Sequence, residues 1–288
     1  MNIFTTSKRG GSGATTINVI TALIAAKQFG KKVCILDLNM KQDYATLFKL
    51  DQRKNIDNLI TELGIDDEYI KLDDYIYPYD KIGVILGTKL NTQTYLYKRS
   101  SKIRDLLTRL NKQYDLVFCD ITDGPLYKEL VSLGVEFYPI NVVEQNMLSM
   151  SEYRKVMKDG NLKGAIILNK LDNSVYPDQS VFTKAFPGNK LFLLPYTKNI
   201  RNFLNITIRN GGIVPLKDVV KDKPFYMEVQ SICKYIANLS DKDVKESKPE
   251  VDRTSVLDNK PKPSNISLSK KKKKSNKFSL LSIFGGGR

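Results

Sequence analysis

Short apolar runs alternate along most of the chain with stretches in which apolar positions recur at helical spacing, the pattern of a parallel sheet wrapped by helices. The runs fall at residues 1–4, 32–36, 82–86, 116–119, 136–140, 164–168 and 190–194. Between them, residues 15–29 read as a helix closed by Gly30, residues 55–63 as a shorter one closed by Gly64, and residues 101–112 as a third. The predicted fold class is α/β: a doubly wound, mostly parallel sheet of about seven strands flanked by helices, in a single domain. Such sheets bind ligands outside the carboxyl ends of their strands, so the loops after Phe4, Leu36, Cys119 and Leu168 are where chemistry is expected.

With 288 residues, 41% of them hydrophobic, the chain can bury a full core. There is no histidine, and the three cysteines, Cys34, Cys119 and Cys233, lie far apart. That combination disfavours zinc and excludes histidine as a general base, and it suits a reducing cytosol. The N-terminus lacks the layout of a signal peptide, and no apolar stretch approaches the roughly 20 residues that span a bilayer. A cytoplasmic protein, soluble or peripheral to the inner face of the membrane, is expected.

Charge is uneven. Of the net +15, nine positive charges sit in residues 259–288, which hold no Asp or Glu. From about Ser240 the composition shifts to Lys, Ser, Asp, Pro and Asn, too poor in apolar residues to offset the entropy of ordering a backbone. The predicted organisation is therefore a folded domain at 1–239, a disordered basic linker at 240–277 and a short amphipathic segment at 278–288. Phe278, Leu280, Leu281, Ile283 and Phe284 share one side of a helical wheel, and five consecutive lysines, Lys270 to Lys274, precede them. Lysines plus apolar insertion are the two signals that hold a peripheral protein on an anionic membrane. The same lysines could bind nucleic acid phosphates or simply be solvated, although neither role uses the apolar cluster.

The first apolar run leads into Arg9-Gly10-Gly11-Ser12-Gly13-Ala14-Thr15-Thr16. A strand, a glycine-rich turn and a helix opening at Thr15 or Thr16 gather backbone N–H groups and a positive helix end around one point, where a phosphate chain can sit. The general phosphate loop has Lys then Ser/Thr after its last glycine; here Ala14 stands at the lysine position and Thr15 keeps the Mg²⁺-binding hydroxyl. Alone, the loop reads equally well as a glycine-rich turn that binds nothing.

Other segments add to it. Residues 9–16 resemble the deviant Walker A loop of the MinD/ParA ATPases, Lys-Gly-Gly-x-Gly-Lys-Thr-Thr, with Arg9 at the signature lysine that reaches across a dimer and Lys8 one residue earlier. Cys34 to Asn39 resemble the family strand ending in Asp-x-Asp, and Tyr114 to Asp120 its Walker B strand. Ile166 to Lys170 resemble the strand whose Asn contacts adenine, and Leu194-Pro195-Tyr196 with Arg201 the loop beside the base. Residues 37–48, 58–60 and 83–87 look most like the CpaE/TadZ branch, which positions pilus and secretion machinery.

The resemblance implies ATP or ADP with Mg²⁺ as ligand. Arg9, Gly10, Gly11, Ser12, Gly13, Ala14, Thr15, Thr16, Asn169, Pro195 and Tyr196 would hold the nucleotide, Thr15 and Asp120 the metal, and Asp37 would be the catalytic carboxylate, orienting the Mg²⁺ shell. It also implies a homodimer that recruits a protein partner. Ala14, Arg9 and Asn39 depart from the family pattern at positions that neutralise charge or activate water. If each lost contact costs about 2.7–4 kcal/mol at the transition state, two together slow hydrolysis by a factor on the order of 10⁴. The expected function is thus a nucleotide-binding protein with weak or absent ATPase activity that positions or assembles a membrane-associated machine. A true ATPase in DNA or plasmid partition, and a scaffold with a vestigial pocket, are the alternatives.

Overall fold

The computed structural model describes residues 1–8, 10–39, 43–63, 71–90, 93–122, 124–158 and 164–246, with the side chains of residues 93, 94, 156–158, 201 and 240–246 left out. Arg9, residues 40–42 of the CpaE/TadZ-like run, Gly64 and the basic and amphipathic tail beyond residue 246 lie outside the described residues, as does the side chain of Arg201.

Eight strands form one sheet: β1 (Asn2–Ser7), β2 (Val33–Asp37), β3 (Tyr77–Tyr79), β4 (Ile82–Ile85), β5 (Leu116–Thr122), β6 (Tyr138–Glu144), β7 (Ala165–Leu171) and β8 (Lys190–Pro195). Their order is β3-β4-β2-β5-β1-β6-β7-β8, parallel throughout except for β3, which pairs antiparallel with β4. The seven expected apolar runs are the seven parallel strands. Their inner strands are apolar and buried on both faces, as a sheet covered by helices on two sides requires. The eighth, β3, reads Tyr-Pro-Tyr with no apolar run; Pro78 lacks an N–H, and the strand lies at the sheet's outer edge, where that donor is dispensable.

One face of the sheet is covered by the first helix, Ala14–Gln28, and the last, Lys223–Glu246; the other carries Ile56–Glu62, Ser100–Gln113 and Pro125–Ser132. The first helix is apolar almost all round and buries Ile17, Val19, Ile20, Leu23 and Ile24. It packs beside the last helix on that face, with Cys233 Sγ 3.5 Å from the Thr21 carbonyl. It ends at Gln28, and Gly30 follows in the left-handed region at φ 63°. The helix Ile56–Glu62 starts under the Asn55 side chain, which accepts from the N–H groups of Asp57 and Asn58. All three cysteines are buried as free thiols. No helix among the described residues is long and apolar enough to cross a membrane. The last helix runs through Ser240 to Glu246.

With β1 at the centre and β5 and β6 beside it, the carboxyl ends of β1, β2, β5 and β7 come to one edge of the sheet. Asp37 at the end of β2 is in register with Asp120 on β5, and Asp120 with Thr5 on β1. Residues far apart in sequence are thereby neighbours.

Candidate functional site

The loop from β1 to the first helix turns at Gly11 (φ 83°) and Gly13 (φ 92°), both in the left-handed region that favours glycine. Gly13 has a second constraint: a Cβ there would sit 2.3 Å from Asn169 Nδ2. Asn169 donates that amide to the Ser12 carbonyl at 2.7 Å, so the end of β7 holds the loop in place. Lys170 follows it, its Nζ donating to the Gly11 carbonyl at 2.5 Å and pairing with Glu144.

The loop opens onto a cavity of about 670 Å³. Gly10, Gly11, Ser12, Gly13, Ala14, Thr15 and Thr16 line it, with Asp120, Asn39 and Lys8. Asn169, Lys170, Pro195 and Tyr196 line it too, so of the described residues expected to bind nucleotide, all reach one cavity. Tyr196 is 41% exposed, leaving aromatic surface on which a planar base could stack. Burial and the neighbouring Lys128 hold the Lys8 ammonium below its ordinary pKa, against the opposing charge of Glu152.

Asp120 is the hub. Its Oδ2 accepts the Thr15 hydroxyl at 2.8 Å and the Tyr44 phenol at 2.9 Å, and its Oδ1 accepts the Asn39 amide at 2.6 Å. Behind Tyr44 runs a buried chain: Asn18 Nδ2 donates to the phenol oxygen at 2.8 Å, and Thr5 Oγ1 donates to Asn18 Oδ1 at 2.8 Å. Thr122 Oγ1 donates to Asn39 Oδ1 at 2.6 Å. Burial pushes the Asp120 carboxyl above the usual range, while the bonds from Thr15, Tyr44 and Asn39 pull it back.

Asp37 does not sit on the cavity wall. It is 1% exposed, its Oδ1 accepts the Asn39 N–H at 2.9 Å, and Oδ2 has no hydrogen-bond partner among the described atoms. Burial, and then the charge of Asp120, raise its pKa well above the usual carboxylate range. Gly87 is required beside it, because a Cβ there would lie 2.7 Å from Asp37 Oδ2 and from the Asn39 carbonyl.

The donor set fits Mg²⁺ bound with a phosphate. Mg²⁺ takes few protein ligands and keeps several waters, and a hydroxyl beside a carboxylate at the mouth of a phosphate loop supplies what it needs. Groups of three or more acidic or thiol ligands, of the kind that hold a metal by themselves, are absent among the described residues.

Tyr44, Asn18 and Thr5 were not apparent from the sequence as site residues. Asn18 offered a signal: it is a lone amide inside an apolar helix, three residues after Thr15, and a buried amide must find partners. Tyr44 offered none, since a tyrosine on a short helix reads as packing.

A parallel sheet whose first strand leads through a glycine loop into a buried helix, with acidic residues ending the adjacent strands, defines the P-loop type of nucleotide-binding fold. Among solved structures the chain takes the fold of MinD and ParA proteins. It superposes on the septum site-determining protein MinD from Pyrococcus horikoshii complexed with Mg-ADP, with TM-score 0.60 and 18% identity over 83% of this chain and 99% of that one. A putative plasmid partition protein from Borrelia burgdorferi bound to AMPPNP gives TM-score 0.59 and 17% identity over 82% and 98%. A ParA family ATPase from Chlorobium tepidum gives 0.61 and 14% over 81% and 97%. No family model and no curated protein matches the sequence.

Proposed function

We propose that the chain is a MinD/ParA-like protein that binds a nucleoside di- or triphosphate with Mg²⁺, which the resemblance implies to be ATP or ADP, and hydrolyses it weakly or not at all. The observation that carries this reading is the convergence of the glycine loop, Thr15 and Asp120 on one cavity. Backbone N–H groups of the loop and the amino end of a 15-residue helix would receive the phosphates. Thr15, with its hydroxyl, and Asp120, with its carboxylate, would hold Mg²⁺. Mg²⁺, when bound, neutralises charge on the phosphate oxygens.

Three positions support slow or absent hydrolysis. Ala14 puts a methyl where a cation would meet the phosphates. Asn39 is committed twice, donating to Asp120 and accepting from Thr122, and an amide is a poor acceptor for a water proton. Asp37 is shut away from the cavity. What is retained grips a ligand; what is missing activates water.

In this reading the bound nucleotide is a structural ligand for a homodimer, with Arg9 reaching the partner's phosphates. The lysine-rich tail and the apolar residues 278–284 would hold the dimer on the anionic inner face of the membrane. There it would position or assemble a machine of the pilus or secretion type, as in the CpaE/TadZ branch. The Borrelia plasmid partition structure favours a second reading on equal fold grounds, a ParA-like protein of DNA partition. Analytical ultracentrifugation of the full chain with and without Mg²⁺ and nucleotide tests the dimer claim: a nucleotide-dependent shift from monomer to dimer is expected, and an unchanged sedimentation coefficient contradicts it.

A further inference from the structure

The phosphate loop lacks its usual cation: Ala14, at the lysine position, is buried and carries only a methyl group. Phosphates bound there would bring negative charge into a partly enclosed site, where charge without a partner is costly. Among the described residues lining the cavity, Lys8 and Lys170 carry ammonium groups. Lys170 Nζ reaches the loop itself, donating to the carbonyl of Gly11, in the same glycine turn as Ala14, at 2.5 Å.

The end of β7 is shaped to deliver that group. Lys170 takes φ 59°, a left-handed conformation that costs energy for a residue with a side chain, and the pairing of β7 with β8 shifts register between Leu168 and Leu171. The residue before it, Asn169, donates to the Ser12 carbonyl at 2.7 Å, so two consecutive residues grip the loop from one strand end. Glu144 ends β6 in register with Asn169 and pairs with the Lys170 ammonium. Lys170 is part of the cavity lining and Glu144 is not, so the cation, rather than its partner, meets a ligand. An ammonium has three N–H donors. Among the described atoms the Gly11 carbonyl and the Glu144 carboxylate take two of them, which leaves the third for a phosphate oxygen.

We infer that Lys170, brought to the glycine loop from the end of β7 and held there by Glu144 and the Gly11 carbonyl, supplies the phosphate-binding charge that position 14 lacks. This inference rests on the nucleotide-binding reading and adds to it a residue that the loop sequence does not contain. It also agrees with slow hydrolysis. An ammonium pinned by two protein oxygens before the ligand arrives meets bound and reacting phosphates alike, and such uniform binding tightens the complex without lowering the barrier.

Calorimetric titration of the full chain with ADP and Mg²⁺, over a series of salt concentrations, tests it. K170Q removes the charge while its amide can still donate to Gly11, and it should weaken ADP binding about tenfold to a hundredfold, the loss of a charge-assisted bond. Its affinity should also depend less steeply on salt than that of the wild type. K170R should recover most of the lost affinity. E144Q should tighten ADP binding about twofold to fivefold, because the ammonium is no longer shared with a partly exposed carboxylate. A lysine that only fastened the loop would give the opposite result in E144Q, since its anchor would be weakened. ADP affinity unchanged in K170Q, a loss there with the wild-type salt dependence, or weaker binding in E144Q overturns the role of Lys170 alone. No ADP binding by the wild type overturns it together with the reading beneath it.

Discussion

Asn39 shows how one atom changes what a site can do. Where the MinD/ParA motif that this segment resembles has a second acid, this chain has an amide whose nitrogen bonds Asp120 and whose oxygen takes the Thr122 hydroxyl. An acid there would face Asp120 across a hydrogen-bond distance, in a pocket where burial already raises the carboxyl pKa. Asn39→Asp is therefore predicted to destabilise the ligand-free protein by about 1–3 kcal/mol at pH 8, measured by urea denaturation. The introduced carboxyl would have a folded pKa above its unfolded value of about 3.9. Protonation is then favoured in the native state, so the deficit against wild type is largest above the folded pKa and shrinks as pH falls through it. A deficit that grows on acidification would contradict the assignment. Asp37 and Asp120 were legible in the sequence as strand-end acids, but their difference was not: only the packed sheet places Asp120 on the cavity and seals Asp37 behind Asn39 and Gly87.

At the scale of elements, the phosphate loop is held from two sides, by its own glycines and by the end of β7. Gly13→Ala adds a Cβ at φ 92° that would meet the Asn169 amide at 2.3 Å. Strain of about 1–3 kcal/mol in the backbone, plus the displaced Asn169, predicts a loss of stability in thermal unfolding and a loss of nucleotide affinity together. An alanine variant of wild-type stability would mean that the loop is free to move. The parallel strands were readable because strands covered on both faces are apolar along their length. The edge strand was not, because Tyr77-Pro78-Tyr79 carries no such run and its pairing is set by tertiary position.

For the whole molecule, fold and function separate. The overall fold is shared with MinD and ParA structures at 14–18% identity, a likeness of architecture that leaves the activity to the site residues. The tail is a separate proposal with its own measurement. Liposomes containing anionic lipid should sediment the full chain and should release a variant lacking residues 270–288; equal sedimentation of the two would remove the membrane role. The central claim is that the glycine loop binds a nucleotide that the protein does not consume. The most direct measurement is to incubate the full chain with Mg²⁺ and a mixture of ATP and GTP, remove free ligand by gel filtration and identify the bound nucleotide by chromatography after several hours. The account predicts a stoichiometric fraction recovered as intact triphosphate. Recovery as diphosphate within minutes, or no bound nucleotide at all, would contradict it.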